Sequence, residues 1–517
     1  MPEPSAPENP GTYYPRALLG VYIRTSLWYL GLVALLWILG FEAIHGHPTP
    51  FYALISPAFG DWQETAWTLG GALLALALLA ILLRHILPAF LPRPDWKARD
   101  LNVRSEDAET IVLDEPPLGL KRLVMLVAFA ALFPVAIAMM RGGPDGISQA
   151  YARQSYEYIG DIGKTGSIRA LFADYEKIHS YLSMHAKVHP PGPIAILWLL
   201  SYVAGQSPMG LSIATILFGA LSVVPMYWLA KAMLGARAGL VATVLYTLVP
   251  SIVLFTATSA DITFMPFTLA TLFLFWRAIH GLDEGYTLYA PGTVLRAWRG
   301  IGSPSLGALF GVGAGVLYGI LGLISYSLLG LGAFFGLVGL WRLFDARYRW
   351  AVLRTAVVMA LAALAVHYLV YLWSGYNSIA VFQLSKEQFD TDQANLDVLD
   401  PRWPSWAFKI VNPLCWFFFA GIPVSVLALR RMQSSFSRDK FFFLVIGLTL
   451  LAFDILYLAR GEGERSAMYI MPFIALPAAH MLDEVCAAAR SWRPLTVTLA
   501  FLGIQCIAIE AILYTYW

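Results

Sequence analysis

The stretch that decides the fold is Ser180–Gly205, SYLSMHAKVHPPGPIAILWLLSYVAG, and within it the run His189-Pro190-Pro191-Gly192-Pro193. The apolar segment after this run, Ile194–Gly205, has only 12 residues, whereas a helix needs about 20 to cross a bilayer. Proline is tolerated in the first turn of a helix, because the N–H that it lacks would have no intrahelical partner there. The sequence therefore predicts a short interfacial or re-entrant helix that starts at Pro191 or Pro193 and holds His189 at its mouth.

The composition of the chain indicates a membrane protein. Of the 517 residues, 58% are apolar and 13% charged, and the mean hydropathy is +0.64, far from the values of soluble domains. Repeated apolar runs of about 20 residues predict an all-α polytopic membrane protein with about 13 transmembrane helices. The predicted spans lie near 17–40, 64–88, 121–140, 209–231, 236–258, 261–280, 305–322, 324–343, 352–372, 411–430, 440–459, 467–483 and 495–516.

Several function classes are disfavoured by the same composition. No basic stripe supports nucleic-acid binding, and the three cysteines are scattered in or beside apolar runs, which indicates neither a disulfide framework nor a thiolate metal site. The first 25 residues are polar and proline-rich, and the apolar run after them is long enough to remain as a signal anchor. We expect an integral, multi-pass protein of the inner or plasma membrane.

Lysine and arginine are distributed unequally between the connections, and this predicts the orientation. With the N-terminus in the cytoplasm, the cytoplasmic segments collect the basic residues, whereas the loops 41–63 and 259–260 have none. This assignment requires that Ile194–Gly205 does not span. The extracytoplasmic face then carries a long loop, 141–208, a second loop, 373–410, and the turn Arg460–Arg465. The cytoplasmic loop 89–120 mixes acidic and basic residues.

These boundaries divide the chain into three regions. Residues 1–120 form an N-terminal tail, two extra transmembrane helices and a cytoplasmic loop. Residues 121–372 form a core with the long loop 141–208. Residues 373–517 form the second outer loop and the C-terminal transmembrane helices.

Loop 141–208 supplies carboxylates suited to general-base work. Asp145 directly follows the third span, where partial desolvation would favour a base acting on a hydroxyl. Asp161 is the next candidate and Asp174 a further one. The alternative is that a loop of this length needs several acids simply for solvation.

Cations and imidazoles on the same face could bind a phosphate. Arg460 and Arg465 lie on the side that should lack arginine, and a guanidinium fork suits phosphate, although each could instead pair with Glu462 or Glu464. Lys386 is a weaker candidate of the same kind.

The histidines of the long loop have two possible roles. His179, His185 and His189 could be metal ligands, but spacings of six and four are not diagnostic. A hydrogen bond from His189 to a phosphate oxygen is the favoured role. Asp261, at the outer end of the sixth span, is either functional or a helix cap.

With these residues in place, the chain resembles the GT-C superfamily of membrane glycosyltransferases, and within it protein O-mannosyltransferases and the lipid A aminoarabinose transferase. The motifs that carry the resemblance are Pro144-Asp145, the run Tyr151–Ser155, Gly160-Asp161, His189-Pro190-Pro191, Leu234–Arg237, Pro250, Asp261, Glu464-Arg465, Tyr469 and Pro472. The sequence departs from the family pattern at Gly146, where a second acid is common, at Val188, where the aminoarabinose enzyme has a metal-binding Glu, and at Gly192-Pro193, where Leu is usual.

The resemblance implies transfer of a sugar from a polyprenyl-phosphate donor to a hydroxyl of a lipid, glycan or protein acceptor, with inversion. It implies Asp145 or Asp161 as base, and His189, Arg460, Arg465 and Lys386 at the donor phosphate. Asp261, Glu464, His185 and Asp174 are further candidates for the site. A divalent metal ion is possible, and its ligands are unknown. The alternatives are a lipid-linked sugar transporter or flippase, or an O-antigen ligase or polymerase.

Overall fold

The computed structural model describes residues 10–38, 57–91, 119–152, 156–281, 304–399, 405–433, 441–456, 463–513 and 515. The regular elements in these ranges are helices. In chain order they are α1 (Pro10–Ile38), α2 (Trp62–Ile81, continued by a π-helical turn, Leu82–Ile86, and a last turn, Leu87–Phe90), α3 (Leu120–Ala138), α4 (Pro144–Ala152), α5 (Ile168–Ile178), α6 (Met184–Lys187), α7 (Gly192–Ala204), α8 (Pro208–Ala220), α9 (Val223–Leu234), α10 (Ala236–Tyr246), α11 (Pro250–Thr256), α12 (Met265–His280), α13 (Pro304–Ile324), α14 (Leu331–Leu343), α15 (Arg349–Ser374), α16 (Ser378–Leu399), α17 (Phe408–Phe419), α18 (Ile422–Gln433), α19 (Phe441–Leu456), α20 (Met471–Ala488) and α21 (Arg493–Ile512).

The predicted fold class is confirmed, since the chain is an all-α, multi-pass membrane protein. Among the described residues, nine helical segments are long and apolar enough to cross a membrane, or up to eleven if two bent pairs each count as one span. The count of thirteen stays a prediction. The interruption expected near Ser325-Tyr326-Ser327 is present, because α13 ends at Ile324 and a 3-10 turn, Tyr326–Gly330, precedes α14.

Three predicted spans are not straight helices of full transmembrane length. The span predicted at 411–430 is the pair α17 and α18, bent by 115°, because Gly421 adopts φ +97° at the junction, a conformation that favours glycine. The span at 236–258 is the pair α10 and α11, bent by 49° before Pro250. The span at 440–459 contains α19, which has 16 residues.

The short helix expected after the His-Pro-Pro run is α7. It has 13 residues, about 20 Å at 1.5 Å per residue, which is too short to cross a bilayer. Pro193 lies in its first turn, and Gly205, at φ +75°, ends it. A Cβ on Gly192 would lie 2.2 Å from the carbonyl oxygen of Leu323. The first turn of α7 thus packs directly on the end of α13, and this explains why glycine replaces the larger residue that the family pattern leads us to expect.

A glycine stripe brings α13 and α15 into backbone contact. Gly307, Gly311, Gly315 and Gly319 recur every four residues and therefore share one face of α13. A Cβ on Gly315 would lie 2.4 Å from the carbonyl oxygen of Met359 in α15. Small residues at such spacing are how membrane helices approach closely.

Loop 141–208 folds as a compact helical unit with its own apolar core. Helices α4 to α7 and two 3-10 turns, Tyr158–Asp161 and His179–Tyr181, make up this unit. Its core is separate from that of the bundle and includes Tyr151, Tyr158, Phe172, Tyr175 and Trp198. Tyr376, just after α15, joins this core, so part of the second loop packs on the first.

Candidate active site

A buried tyrosine, Tyr175, contacts the backbone of the His-Pro-Pro turn. Tyr175 lies in α5, whose N-terminus is capped by Ser167 accepting from the Ala170 N–H at 3.1 Å. The Tyr175 hydroxyl lies 2.8 Å from the carbonyl oxygen of Ala186 and 3.0 Å from that of His189. Burial raises the pKa of Tyr175 well above its usual value, so the hydroxyl keeps its proton and remains a donor to this turn.

A buried polar cluster forms where three distant stretches of the chain meet. Arg465 is 5% exposed, and its guanidinium lies 3.9 Å from the Glu157 carboxylate and 3.7 Å from that of Asp261. Its Nη2 also lies 3.5 Å from His185 Nε2. The cluster therefore joins the long loop, the start of the Ala260–Phe264 3-10 turn and the turn before α20 around one cation.

His185 lies between the two charged groups of the cluster. Arginine can only donate, so His185 Nε2 faces Arg465 Nη2 as an acceptor at 3.5 Å. His185 Nδ1 lies 3.3 Å from Glu157 Oε1, an atom that has no hydrogen-bond partner among the described residues. Glu157 is 3% exposed, and the guanidinium of Arg465 offsets its buried charge.

Two tyrosines line the cluster as neutral groups. The centroid of the Tyr158 ring lies 6.0 Å from that of His185 and 5.9 Å from that of His189. Tyr158 therefore packs against both histidines. Burial raises the pKa of Tyr158 well above its usual value, and the nearby charges of Asp261 and Glu157 add to this rise. Burial raises the pKa of Tyr151 in the same direction. Both hydroxyls are thus held in the protonated form.

Asp161 has a different environment from the one expected of a base. It is completely buried, and its carboxylate accepts from the Ser183 N–H at 3.0 Å, from the Ser183 hydroxyl at 2.6 Å and from Lys164 Nζ at 2.7 Å. Lys164 also donates to the carbonyl oxygen of Tyr181 at 2.6 Å. Asp161 therefore connects the 3-10 turn that contains it to the segment that leads into the His-Pro-Pro run.

Asp145 lies in the first turn of α4 with its side chain exposed. The partial desolvation expected for it is therefore not provided by the surrounding protein, because the turn faces outward. Arg141, just before it, directs its guanidinium to the other side. It donates to the carbonyl oxygen of Glu510 at 2.9 Å and lies 3.4 Å from the Glu510 carboxylate, which ties the start of the loop to α21.

Glu464 and Arg465 are neighbours in sequence, but their side chains have different surroundings. Glu464 is completely buried, its carbonyl oxygen accepts from the Ser251 hydroxyl at 2.7 Å, and its carboxylate accepts from the Cys415 thiol at 3.3 Å. A Cβ on the adjacent Gly463 would lie 3.0 Å from Trp416 Nε1. Glu464 thus anchors the turn to α11 and α17, while Arg465 faces the loop unit.

The remaining candidates lie elsewhere or outside the described residues. Asp174 pairs with Lys177 at 2.6 Å on the exposed side of α5. Lys386 pairs with Asp390 one turn further along α16, on an exposed face. Arg460 lies outside the described residues. His179 Nε2 contacts the carbonyl oxygen of Lys187 at 2.8 Å, which is a structural contact rather than a place in the cluster.

The described residues do not provide a metal-binding set. No group of three or more His, Cys, Asp and Glu side chains there is arranged to hold a metal ion. In the polar cluster, Nδ1 of His185 faces Glu157 and Nε2 faces Arg465, so neither ring nitrogen is directed to a shared metal position.

Glu157 is the member of the cluster that the sequence did not single out for a role. It was one of several acids in the long loop. Its immediate neighbours give no signal of its burial, because Tyr156 is 49% exposed and Tyr158 is 2% exposed.

Comparison with known proteins bears on the loop unit and the helices after it. The family model described as dolichyl-phosphate-mannose-protein mannosyltransferase matches residues 188–373. A search of curated proteins found no match.

Several solved structures are similar at low identity. They include ArnT from Cupriavidus metallidurans bound to undecaprenyl phosphate (15% identity, 71% of this chain and 61% of that chain, TM-score 0.39). Another is the Archaeoglobus fulgidus oligosaccharyltransferase tethered to an acceptor peptide (13%, 77% and 56%, 0.45). A third is the S. cerevisiae protein O-mannosyltransferase Pmt1–Pmt2 complex bound to the sugar donor (18%, 51% and 34%, 0.32).

The matched region begins at Val188, directly before His189, and ends at Trp373, at the end of α15. This chain spans between 34% and 61% of the length of the three solved structures named above. The family-model match covers the His-Pro-Pro turn, α7 and Asp261, which are among the motifs that carried the resemblance. The resemblance of this chain to the GT-C superfamily of membrane glycosyltransferases is thereby confirmed.

Proposed function

We propose that this chain transfers a sugar from a polyprenyl-phosphate donor to an acceptor hydroxyl, on the extracytoplasmic face of an inner or plasma membrane and with inversion at the anomeric carbon. The observation that carries the proposal is Arg465, a buried cation at the junction of the loop unit and the bundle. The family-model match over residues 188–373 supports the same class of reaction.

Arg465 is the proposed ligand of the donor phosphate. Its contacts with Glu157 and Asp261 are 3.9 and 3.7 Å long, whereas strong charge-assisted N–H···O bonds are about 2.7–2.9 Å. A phosphate oxygen can therefore replace one of these loose contacts with a shorter bond. His189, whose ring lies 5.9 Å from that of Tyr158, is the second proposed phosphate donor. Arg460 stays a proposed third, and Lys386 would have to leave its contact with Asp390 to contribute.

Asp145 remains the first proposed base, and Glu157 is the alternative that the geometry adds. In either case the carboxylate accepts the proton of the acceptor hydroxyl as the oxygen bonds to the anomeric carbon. The bond from that carbon to the phosphate oxygen breaks, and the polyprenyl phosphate leaves with the electron pair. One displacement by one nucleophile inverts the configuration. Asp161 is proposed to act structurally, since all its contacts hold the loop unit together.

The experiment is a transfer assay with purified protein, a polyprenyl-phosphate sugar and a mixture of lipid, glycan and peptide acceptors. Asp145→Asn and Glu157→Gln each keep shape but cannot accept a proton, and Asp174→Asn is the matched control on the exposed side of the same loop. Loss of a positioned base should slow transfer about 100-fold or more, with donor binding retained. If both variants transfer at the parental rate, neither carboxylate is the base.

The same assay separates the alternatives. A flippase would move the intact donor across vesicles containing the protein and would release no sugar to any acceptor. If the protein moves the donor across the vesicle membrane but neither transfers nor hydrolyses the sugar of any donor, the enzyme assignment is wrong.

The proposed face has its own test. Reporter enzymes fused after Gly166 and after Gly205 should both indicate the extracytoplasmic side, because α7 is too short to cross. Opposite signals from the two fusions would mean that α7 spans, and every later loop would then change sides.

A further inference from the structure

The turn that joins α3 to α4 is held by two helices from distant parts of the chain. This α3–α4 turn comprises residues 139–143 and leads directly into Pro144 and Asp145, the first proposed base. Gly142 and Gly143 adopt φ +81° and +63°, a left-handed conformation that glycine reaches without strain. Two consecutive glycines give the backbone a wide choice of conformations, so contacts from outside the turn have to select the observed one.

Helix α21 provides the first set of these contacts. Arg141 Nη2 donates to the carbonyl oxygen of Glu510 at 2.9 Å and to that of Leu513 at 2.5 Å, and its Nε lies 3.4 Å from Glu510 Oε1. The side chains of Arg141 and Glu510 are 9% and 1% exposed. The other carboxylate oxygen of Glu510 accepts from the Thr515 hydroxyl at 2.7 Å. The end of α21 thus determines the position of Arg141.

Helix α2 provides the second set of contacts. The Thr68 hydroxyl is buried and is shared between the carbonyl oxygens of Met140, at 2.9 Å, and Ala58. A Cβ on Gly143 would lie 2.5 Å from Cδ2 of the Trp67 ring, so the indole packs directly on the backbone of the turn. The two helices therefore contact the turn at three consecutive points, its second, third and last residues.

The conformation of the α3–α4 turn determines where the Asp145 carboxylate lies. Asp145 is exposed and lies in the first turn of α4, two residues after Gly143, so its position follows from the backbone before it. A general base must come within hydrogen-bond reach of the proton that it accepts, and a displacement of about 1 Å can slow a reaction about 100-fold. A shift of the turn should therefore slow the chemical step.

The proposed ligands of the donor phosphate lie on other elements. Arg465 contacts Glu157 and Asp261, and His189 lies in the turn whose backbone contacts Tyr175. A change confined to the α3–α4 turn should therefore alter turnover and leave donor binding unchanged.

We propose that Glu510 and Thr68 are positioning residues for the transfer reaction. Through Arg141 and the Met140 carbonyl group, they hold the α3–α4 turn in the conformation that brings the Asp145 carboxylate to the acceptor hydroxyl. This role rests on the proposed function, with Asp145 as the base. It also gives a purpose to α2, which belongs to the N-terminal region with two extra transmembrane helices that the sequence predicts.

The test measures steady-state transfer by the purified full-length protein with a polyprenyl-phosphate sugar. Glu510→Gln should lower kcat about 10- to 100-fold and leave the KM for the donor unchanged. Thr68→Val keeps the shape but removes the hydroxyl, and it should lower kcat about fivefold. Asp483→Asn is the matched control, because it breaks another largely buried ion pair, with Arg237 at 2.8 Å, and it should leave kcat unchanged.

A double-mutant cycle decides whether Glu510 acts through Asp145. In the Asp145→Asn background, Glu510→Gln should cause no further loss of kcat, because no base remains to be displaced. Losses that multiply would assign Glu510 to general stability and overturn the positioning role. If Glu510→Gln fails to fold, Thr68→Val takes its place in the cycle with the same two outcomes.

Hydrogen–deuterium exchange tests the turn without an assay of activity. Peptides covering residues 139–150 should exchange about tenfold faster in Glu510→Gln and Thr68→Val, and at the parental rate in Asp483→Asn. Unchanged exchange in both variants overturns the positioning role, whatever their transfer rates are. If Asp145→Asn transfers sugar at the parental rate, the positioning role is wrong together with the assignment of Asp145, whereas the proposed transfer reaction stands with Glu157 as its base.

Discussion

Replacing Asp161 by Asn tests whether this carboxylate is structural or catalytic. Asn keeps the shape and one acceptor oxygen, so one contact with Ser183 can persist. The amide group then faces either the Ser183 hydroxyl or Lys164 Nζ, both of which are donors at 2.6 and 2.7 Å in the native protein. A buried donor loses its acceptor, and the ammonium loses its counter-charge.

The expected cost follows from these contacts. A hydrogen bond to a charged group contributes about 1.5–3 kcal/mol. One such bond is lost and the other loses its charge, but Lys164 is about one-third exposed and recovers part of its hydration. We therefore expect a destabilisation of about 3 kcal/mol, confined to the loop unit, which corresponds to roughly a 100-fold rise in local opening.

Hydrogen–deuterium exchange read by mass spectrometry resolves this change where a global melting temperature would not. Peptides covering residues 156–191 should lose about two orders of magnitude of protection, while peptides from α12 and α20 stay unchanged. Asp174→Asn is the control, because its contact with Lys177 is on the surface, and it should leave the same peptides protected. If Asp161→Asn keeps native protection and yet abolishes transfer, Asp161 is catalytic and the structural assignment is wrong.

Three further predictions concern single side chains. Arg465→Ala should weaken donor binding about 10- to 100-fold by removing a charge-assisted bond to phosphate, measured by titration of the lipid donor; native affinity would contradict the phosphate role. Tyr175→Phe should increase hydrogen–deuterium exchange around His189 about tenfold, since a hydroxyl that contacts two carbonyl oxygens contributes about 1–2 kcal/mol to the stability of the turn. Unchanged exchange and transfer would show that the turn does not depend on this hydroxyl. Gly315→Leu should abolish the folded protein on gel filtration because of the backbone of Met359, whereas Gly336→Leu, which meets open space, should be tolerated.

The parts of the fold that were predictable are those that local chemistry dictates. The length of the apolar run and the position of its prolines determine α7, and the hydropathy of most other runs gives the main spans. The bends were not predictable at the same level. At the 115° turn, the Leu502 side chain would lie 2.2 Å from a Cβ on Gly421, and this neighbour is 81 residues away in sequence, in another helix.

The candidate site shows the same division. Arg465 stood out because an arginine on its predicted face is unusual, and the cluster contains it. Glu157 did not stand out, because its role depends on a meeting with Arg465 that no local pattern encodes. Asp145 and Asp161 look alike as loop acids in the sequence, yet one is exposed and the other completely buried. Burial of this kind arises from how the loop unit packs, not from the residues beside each acid.

The separation of the cluster's members along the chain has a consequence for biosynthesis. His185 and Arg465 are 280 positions apart, and membrane chains are made from the N-terminus onward. Until the last helices are inserted, the nascent chain presents Glu157 and Asp261 without the cation that offsets them. A chain that stops before Arg465 therefore keeps Glu157 and Asp261 without the cation that contacts both of them.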